Sequence, residues 1–308
     1  MQELDISKNV EKISKRIIHF IETSKEERGV EGVLVLFSGY MDSTVVSKLT
    51  LEALSHDNVK LLIRANRYFE QQDDILKASI EFLGVSEKDI LRCDIEPMLR
   101  NFGSKDLIPG SLRDIPSLYQ PLSYSLLKST AKKEIEGKTY EMVGETSSER
   151  ERWINKTIAH NKLRSRLQMA VAYFLAETEN LYLVGTINKT ELSTGLFTKW
   201  GHGHCADLMP LGNLYRSQIL QLAEYLQIPE SIKNLSKADL MPGVKNKYMY
   251  FFDLPAFDVD RILIRLEQGI STTDISSAIG VPIDLIERIN TYYNSAAYTR
   301  QAPLIPKF

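Results

Sequence analysis

The chain has 308 residues, 43% hydrophobic and 25% charged, the composition of a globular protein with an ample core. Its net charge is −2 with the signs interspersed and a pI near 6.3, which excludes a basic nucleic-acid stripe and an acidic disordered tail. Cys93 and Cys205 stand far apart, so neither a disulfide framework nor a zinc site is expected, and with no signal-peptide core or membrane-length apolar run a soluble, cytoplasmic protein is expected.

Residues 7–26 carry Val10, Ile13, Ile17, Phe20 and Ile21 at helical spacing, which suits packing on the protein's own sheet or a dimer contact. An apolar run at 33–37 reads as a strand buried on both faces, followed by a helix over 42–54 and a second strand over 59–63. A helix over 73–83 and a short strand over 90–95 continue the alternation, which predicts a parallel, doubly wound α/β sheet flanked by helices. Residues 103–150, rich in Pro, Gly, Ser and Lys, interrupt it and read as an insertion or flap. A long helix over 156–177 and a buried strand over 181–184 resume the pattern. The rest is read as helical, at 214–226, 257–268, 272–279 and 282–293, with an extended Pro-rich tail. We expect one domain over 1–308, with 257–308 a helical C-terminal extension.

The chemistry begins at Ser38-Gly39-Tyr40-Met41-Asp42-Ser43, where the first strand turns into a helix. Free backbone N–H groups and a helix N-terminus favour phosphate there; hydroxyls of Ser38 and Ser43 can donate and Asp42 can hold a metal. A plain structural turn fits the local pattern equally well. A second loop, Gly185-Thr186-Ile187-Asn188-Lys189-Thr190-Glu191, follows the 181–184 strand. Ligands of doubly wound sheets sit outside the carboxyl ends of strands, so both loops can face one site.

The first loop resembles the Ser-Gly-Gly-x-Asp-Ser pyrophosphate loop of the N-type ATP pyrophosphatases at five of six positions, with Tyr40 in place of the second Gly. Joined to Gly195–Gly201, Ala206–Leu211, the Asn161–Met169 segment and the Arg300–Pro306 tail, the second loop resembles the ammonia-dependent NAD synthetases over nearly the whole chain. That resemblance implies an adenine nucleotide alpha-hydrolase-like fold and a ligase. ATP adenylates a substrate carboxylate, releasing pyrophosphate, and ammonia then displaces AMP to leave an amide, deamido-NAD becoming NAD+. It implies Asp42 and Glu191 as Mg²⁺ ligands and, with Lys199, as catalytic residues. Ser38, Gly39, Ser43, Arg64, Thr186, Arg216 and Lys237 fall on ATP, and Arg164, Lys199, Asp207, His202 and Arg300 on the acid substrate. It further implies a homodimer, helped by the 158–175 helix, and ammonia as nitrogen donor, a separate glutaminase partner being possible but unmarked in the sequence.

Several segments depart from the family pattern. Gly201–Asp207 has a rebuilt loop bearing His202 and His204, Met241–Leu254 replaces an acidic stretch with a basic, aromatic one, and Tyr298-Thr299 replaces a His-Lys pair. The ATP half is kept and the acid-recognition half altered. Three readings fit: an ammonia-dependent NAD synthetase, a relative amidating a different carboxylic acid, or a nucleotide-binding protein without turnover. Tyr40 poses its own question, since Tyr takes positive φ poorly: the turn runs at negative φ, or pyrophosphate binding is weakened.

Overall fold

The computed structural model describes residues 4–64, 70–102, 149–201, 204–235, 246–301 and 305–306. Helix α1 (Val10–Arg28) leads into β1 (Gly32–Phe37), α2 (Met41–Ala53), β2 (Val59–Arg64), α3 (Glu70–Leu83), β3 (Ile90–Cys93) and α4 (Glu96–Asn101). After the long helix α5 (Glu149–Thr178) come β4 (Leu181–Val184) and short α6 (Lys189–Thr194). Helices α7 (Arg216–Tyr225), α8 (Glu230–Leu235), α9 (Lys247–Phe252), α10 (Ala256–Glu267), α11 (Thr272–Ile279) and α12 (Ile283–Arg300) follow.

Among the described residues the four strands form one parallel sheet in the order β3-β2-β1-β4. Strand β1 is central, Val35 lying opposite Leu61 on one side and Val184 on the other. Every residue of β1 is buried, as an unbroken apolar run predicts. Its side chains alternate: Val33, Val35 and Phe37 join α1, α2 and α7, while Leu34 and Leu36 pack with Met169, Ala172 and Ala176 of α5. Each such side chain contributes roughly 1.5–3 kcal/mol by leaving water. The C-terminal helices gather a further cluster around Phe252, Val259, Ile262, Ile286 and Ile289.

The chain moves outward from β1 through β2 to β3, then crosses back to place β4 on β1's other side. The carboxyl ends of β1 and β4 therefore flank the point where strand order reverses, where ligands of such sheets bind. A single bridge from Val184 to Leu208 extends the edge beyond β4, with Leu208 N–H donating to the Leu183 carbonyl at 3.0 Å.

Several boundaries differ from those expected of the sequence. Helix α1 starts at Val10, not at residue 7, because Gln221 of α7 holds the preceding segment in a non-helical course. Its amide bonds the Ile6 N–H and the Leu4 carbonyl, both at 2.8 Å. Strand β3 ends at Cys93, short of residue 95, where α4 begins with Pro97 in its first turn. Helix α5 starts seven residues earlier than its apolar periodicity, so Glu149 and Arg150 belong to it and not to the expected 103–150 insertion. The charged Glu149-Arg150-Glu151-Arg152 run favours helix by propensity while carrying no periodic signal. Helix α12 continues to Arg300, past the expected 293, as Tyr292, Ala296 and Thr299 extend its buried stripe. Residues 103–148 of the insertion, Lys237, His202, residues 241–245 and 302–304 lie outside the described residues, as does the side chain of Arg64.

Candidate active site

The turn after β1 depends on Gly39, whose φ is +79°. A Cβ at that position would stand 3.0 Å from Leu76 Cα and 3.1 Å from its backbone nitrogen, so glycine is required both for conformation and for close approach of α3. The Gly39 carbonyl accepts from Ser79 Oγ at 2.7 Å and Thr44 Oγ1 at 3.2 Å, fixing the loop to two helices. Tyr40 then takes φ −74°, ψ 165°, an ordinary extended residue before a helix. The backbone thus resolves the Tyr40 question at negative φ. Its carbonyl accepts from Ser43 Oγ at 2.8 Å, and the Ser38 N–H donates to Ser43 Oγ at 3.3 Å, with the two serine hydroxyls 3.1 Å apart. Ser38, Gly39 and Ser43 form one closed turn, and Asp42 stands in the first turn of α2.

The loop after β4 is held by a reciprocal cap at the start of α6. Asn188 Oδ1 accepts the Glu191 N–H at 2.9 Å, and Glu191 Oε2 accepts the Asn188 N–H at 3.1 Å. Asn188 is fully buried and also reaches across the sheet edge, its Nδ2 donating to Asp42 Oδ2 at 3.2 Å. One amide side chain therefore joins the two loops and touches both carboxylate-bearing residues. The second oxygens carry cations: Arg216 pairs with Asp42 Oδ1 and Lys247 with Glu191 Oε1. Burial pushes the Asp42 carboxyl above its ordinary pKa, opposed by Arg216 and reinforced by the neighbouring Glu191 charge. Thr186 sits half-buried between β4 and this cap.

Behind this cluster lies a brace. Asp260 of α10, wholly buried, accepts from Thr190 Oγ1 at 2.6 Å and from the Ser217 N–H at 2.8 Å, while Thr190 Oγ1 accepts the Arg216 N–H at 2.8 Å. One carboxylate so fixes the first turns of α6 and α7, which carry Glu191 and Arg216. Burial raises its pKa to about 6 despite those donors.

The acid-side candidates each have contacts of their own. Lys199 is 7% exposed; its Nζ donates to the Tyr298 carbonyl at 2.9 Å and lies 4.2 Å from the Tyr298 ring centroid and 5.3 Å from that of Trp200. Trp200 holds φ +61°, an uncommon conformation for a bulky side chain. Gly201 follows it in close contact, since a Cβ would meet Ser165 Oγ at 2.5 Å. His204 stacks on Phe197 at 4.6 Å and its Nδ1 accepts the Trp200 N–H at 3.2 Å, tying down the rebuilt loop. Arg164 is half-buried on α5. Asp207 is turned to the sheet: its Oδ2 accepts the Leu183 N–H at 2.9 Å and its Oδ1 the Tyr173 hydroxyl at 3.2 Å. Arg300 donates to the Leu192 and Ser193 carbonyls at 2.9 and 3.1 Å, closing the C-terminal end of α6.

The structure thus brings Asp42, Glu191 and Arg216 into one cluster, while Lys199 packs against Tyr298 and Trp200. Asn188, Asp260 and Lys247 went unread in the sequence. The Asn-x-x-Glu spacing of a capping box could have flagged Asn188; Asp260 and Lys247 carry no local signal.

Among the described residues no group of three or more His, Cys, Asp or Glu is poised for a metal. Two hard carboxylates do suit Mg²⁺, which is bound by one or two such groups plus phosphate oxygens. Tyr248, 4% exposed, feels the charges of Lys247, Glu191 and Arg216, and its hydroxyl has no hydrogen-bond partner among the described residues. A buried unpaired hydroxyl beside such charges fits a site that receives further polar groups.

A family model for NAD synthase matches residues 13–115 and 111–303. The NH(3)-dependent NAD(+) synthetase of Thermotoga neapolitana is 30% identical over 304 residues, covering 97% of both chains. That of Methanocaldococcus jannaschii is 26% identical, covering 97% of this chain and 98% of the relative. Two solved structures share the fold over 97% of this chain and 99% of theirs. They are an NMN synthetase from Francisella tularensis (TM-score 0.66, 20% identity) and an NH3-dependent NAD synthetase from Campylobacter jejuni in complex with nitrate (TM-score 0.65, 19% identity).

Proposed function

This chain belongs to the NAD synthase family, and from that premise we propose that it is an ammonia-dependent ligase converting deamido-NAD to NAD+ at the expense of ATP. A carboxylate is a poor electrophile. Its oxygen therefore attacks the α-phosphorus of ATP, the bond to the β-phosphate oxygen breaks, and pyrophosphate leaves. Ammonia then attacks the acyl carbon, the C–O bond to AMP breaks, nitrogen loses a proton, and the amide remains. The protein's share is to position groups and offset phosphate charge.

What carries this reading is the junction of the two loops, where Asn188 ties Asp42 to the Glu191 cap and Arg216 stands on Asp42. Asp42 and Glu191 would hold Mg²⁺, which when bound offsets charge on the phosphates. Ser38, Gly39 and Ser43 would receive the pyrophosphate, with Arg216 and Lys237 as further phosphate contacts. Thr186 and Arg64 would meet the rest of the nucleotide. On the acid side, Lys199, Arg164, His202, Asp207 and Arg300 would read deamido-NAD. Asp207 and Arg300, with the backbone bonds described above, fit positioning of β4 and α6 as well as contact. No helix among the described residues is long and apolar enough to cross a membrane, and the reading carries a cytoplasmic homodimer fed with free ammonia.

A second reading, amidation of another carboxylic acid, is favoured by one observation: Tyr298, which departs from the family pattern, meets the Lys199 ammonium with its carbonyl and its ring. A screen for pyrophosphate release with Mg²⁺, ATP, ammonia and a panel of acids tests both. Release with deamido-NAD together with NAD+ formation supports the first; release with another acid alone supports the second. No release with any acid, despite ATP binding, leaves a nucleotide-binding protein.

A further inference from the structure

Each carboxylate of the cluster uses its two oxygens differently. Asp42 Oδ2 and Glu191 Oε2 accept from Asn188, a fully buried neutral residue on fixed backbone, through its Nδ2 and its N–H. The other oxygens, Asp42 Oδ1 and Glu191 Oε1, face side-chain cations. The oxygens free of the Asn188 frame are those a metal ion can take without dismantling the two loops. One of them carries the ammonium of Lys247, which comes from the basic, aromatic segment that departs from the family pattern.

We propose that Lys247 and a divalent cation are alternative occupants of Glu191, and that the displaced ammonium turns to the nucleotide phosphates. This rests on the reading of Asp42 and Glu191 as metal ligands. Lysine suits the part: its charge is compact and its four-carbon stem lets the head move several ångströms without moving α9. The Glu191 side chain is 15% exposed and that of Lys247 21%, so neither charge is fully compensated by water and vacating one partner favours another. Metal and nucleotide binding are then coupled. Metal frees Lys247 for phosphate, phosphate draws Lys247 from Glu191, and by linkage each tightens the other by the same factor.

The test is a direct Mn²⁺ titration, by paramagnetic resonance of the free ion, with and without α,β-methylene-ATP, whose α–β link does not break. Wild type is expected to bind Mn²⁺ weakly alone and more tightly with the analogue. Lys247→Met keeps the stem and is expected to bind Mn²⁺ alone about tenfold more tightly, with a smaller gain from the analogue. Lys247→Arg should follow wild type. Lys189→Met removes a nearby cation paired instead with Glu267 and should leave Mn²⁺ affinity unchanged. Equal Mn²⁺ affinity in wild type and Lys247→Met, or an equal shift in Lys189→Met, overturns the proposal. A Glu191→Gln arm separates the two readings: unchanged Mn²⁺ binding there removes Glu191 as a metal ligand, whatever Lys247 does.

Discussion

Replacing Asp260 by Asn is expected to remove the pH dependence that this buried carboxylate imposes on stability. Folding raises its pKa from the ordinary 3.8 to about 6, chiefly by burial. The native state therefore favours the neutral form, so this contribution is full below pH 3.8 and is lost as pH rises through about 6. The whole window is worth about 3 kcal/mol at roughly 1.4 kcal/mol per pH unit, and the part above pH 4.5 about 2. Asn imitates the neutral carboxyl: its oxygen can accept the Ser217 N–H, and its amide can donate to Thr190 Oγ1, which already accepts from Arg216 N–H. The Thr190 hydroxyl proton loses its acceptor, at about 1 kcal/mol. Urea unfolding of both proteins from pH 4.5 to 8 should show wild type losing about 2 kcal/mol relative to Asp260→Asn. A flat difference, or one in which wild type gains with pH, would refute the reasoning. Asp260 is kept at this cost because its two oxygens align the first turns of the helices bearing Glu191 and Arg216. Turnover of the variant should accordingly fall even where its stability rises.

Glu191→Gln retains the oxygen that accepts the Asn188 N–H but leaves Lys247 without its carboxylate, so its thermal midpoint should fall modestly; pyrophosphate release should fall about a hundredfold or more as one metal carboxylate is lost. Tyr40→Gly should leave turnover and the KM for ATP unchanged, because residue 40 sits at negative φ, while urea unfolding registers a loss of about 1 kcal/mol from added chain entropy. A raised turnover in that variant would mean that the tyrosine side chain restrains the turn. Gly201→Ala forces a methyl against Ser165 Oγ and Thr198 Cβ, 2.5 and 2.8 Å away. It should cost about 1–3 kcal/mol and raise the KM for the acid substrate with little change in that for ATP; equal effects on both would separate this loop from acid recognition.

The sheet was legible because β1 is apolar at every position, a pattern that only a strand covered on both faces satisfies, and its turn into α2 announces itself through Ser38-Gly39. Boundaries were less legible wherever tertiary bonds override local pattern, as Gln221 does at Leu4 and Ile6. Within the site, only the family resemblance singles out Asp42 and Glu191, and nothing in the sequence shows what holds them. Lys247 reaches Glu191 across 56 positions of sequence, and Asp260 looks like a surface acid between Val259 and Arg261 until its burial is seen.

Arg216 shows why such partners escape a linear reading. A cation in the first turn of a helix opposes the helix dipole, so on sequence alone it is explained only by an external anion such as phosphate. The structure supplies an internal one: Asp42, itself in the first turn of α2, where the dipole favours a carboxylate. Removing Asp42 would leave Arg216 disfavoured by its own helix and half-buried without its carboxylate, a loss larger than that of either charge at the surface. The charge at the start of α7 therefore makes sense only with Asp42 in place. That dependence ties the turn after β1 to α7, which packs on the same face of the sheet as α2, as one unit.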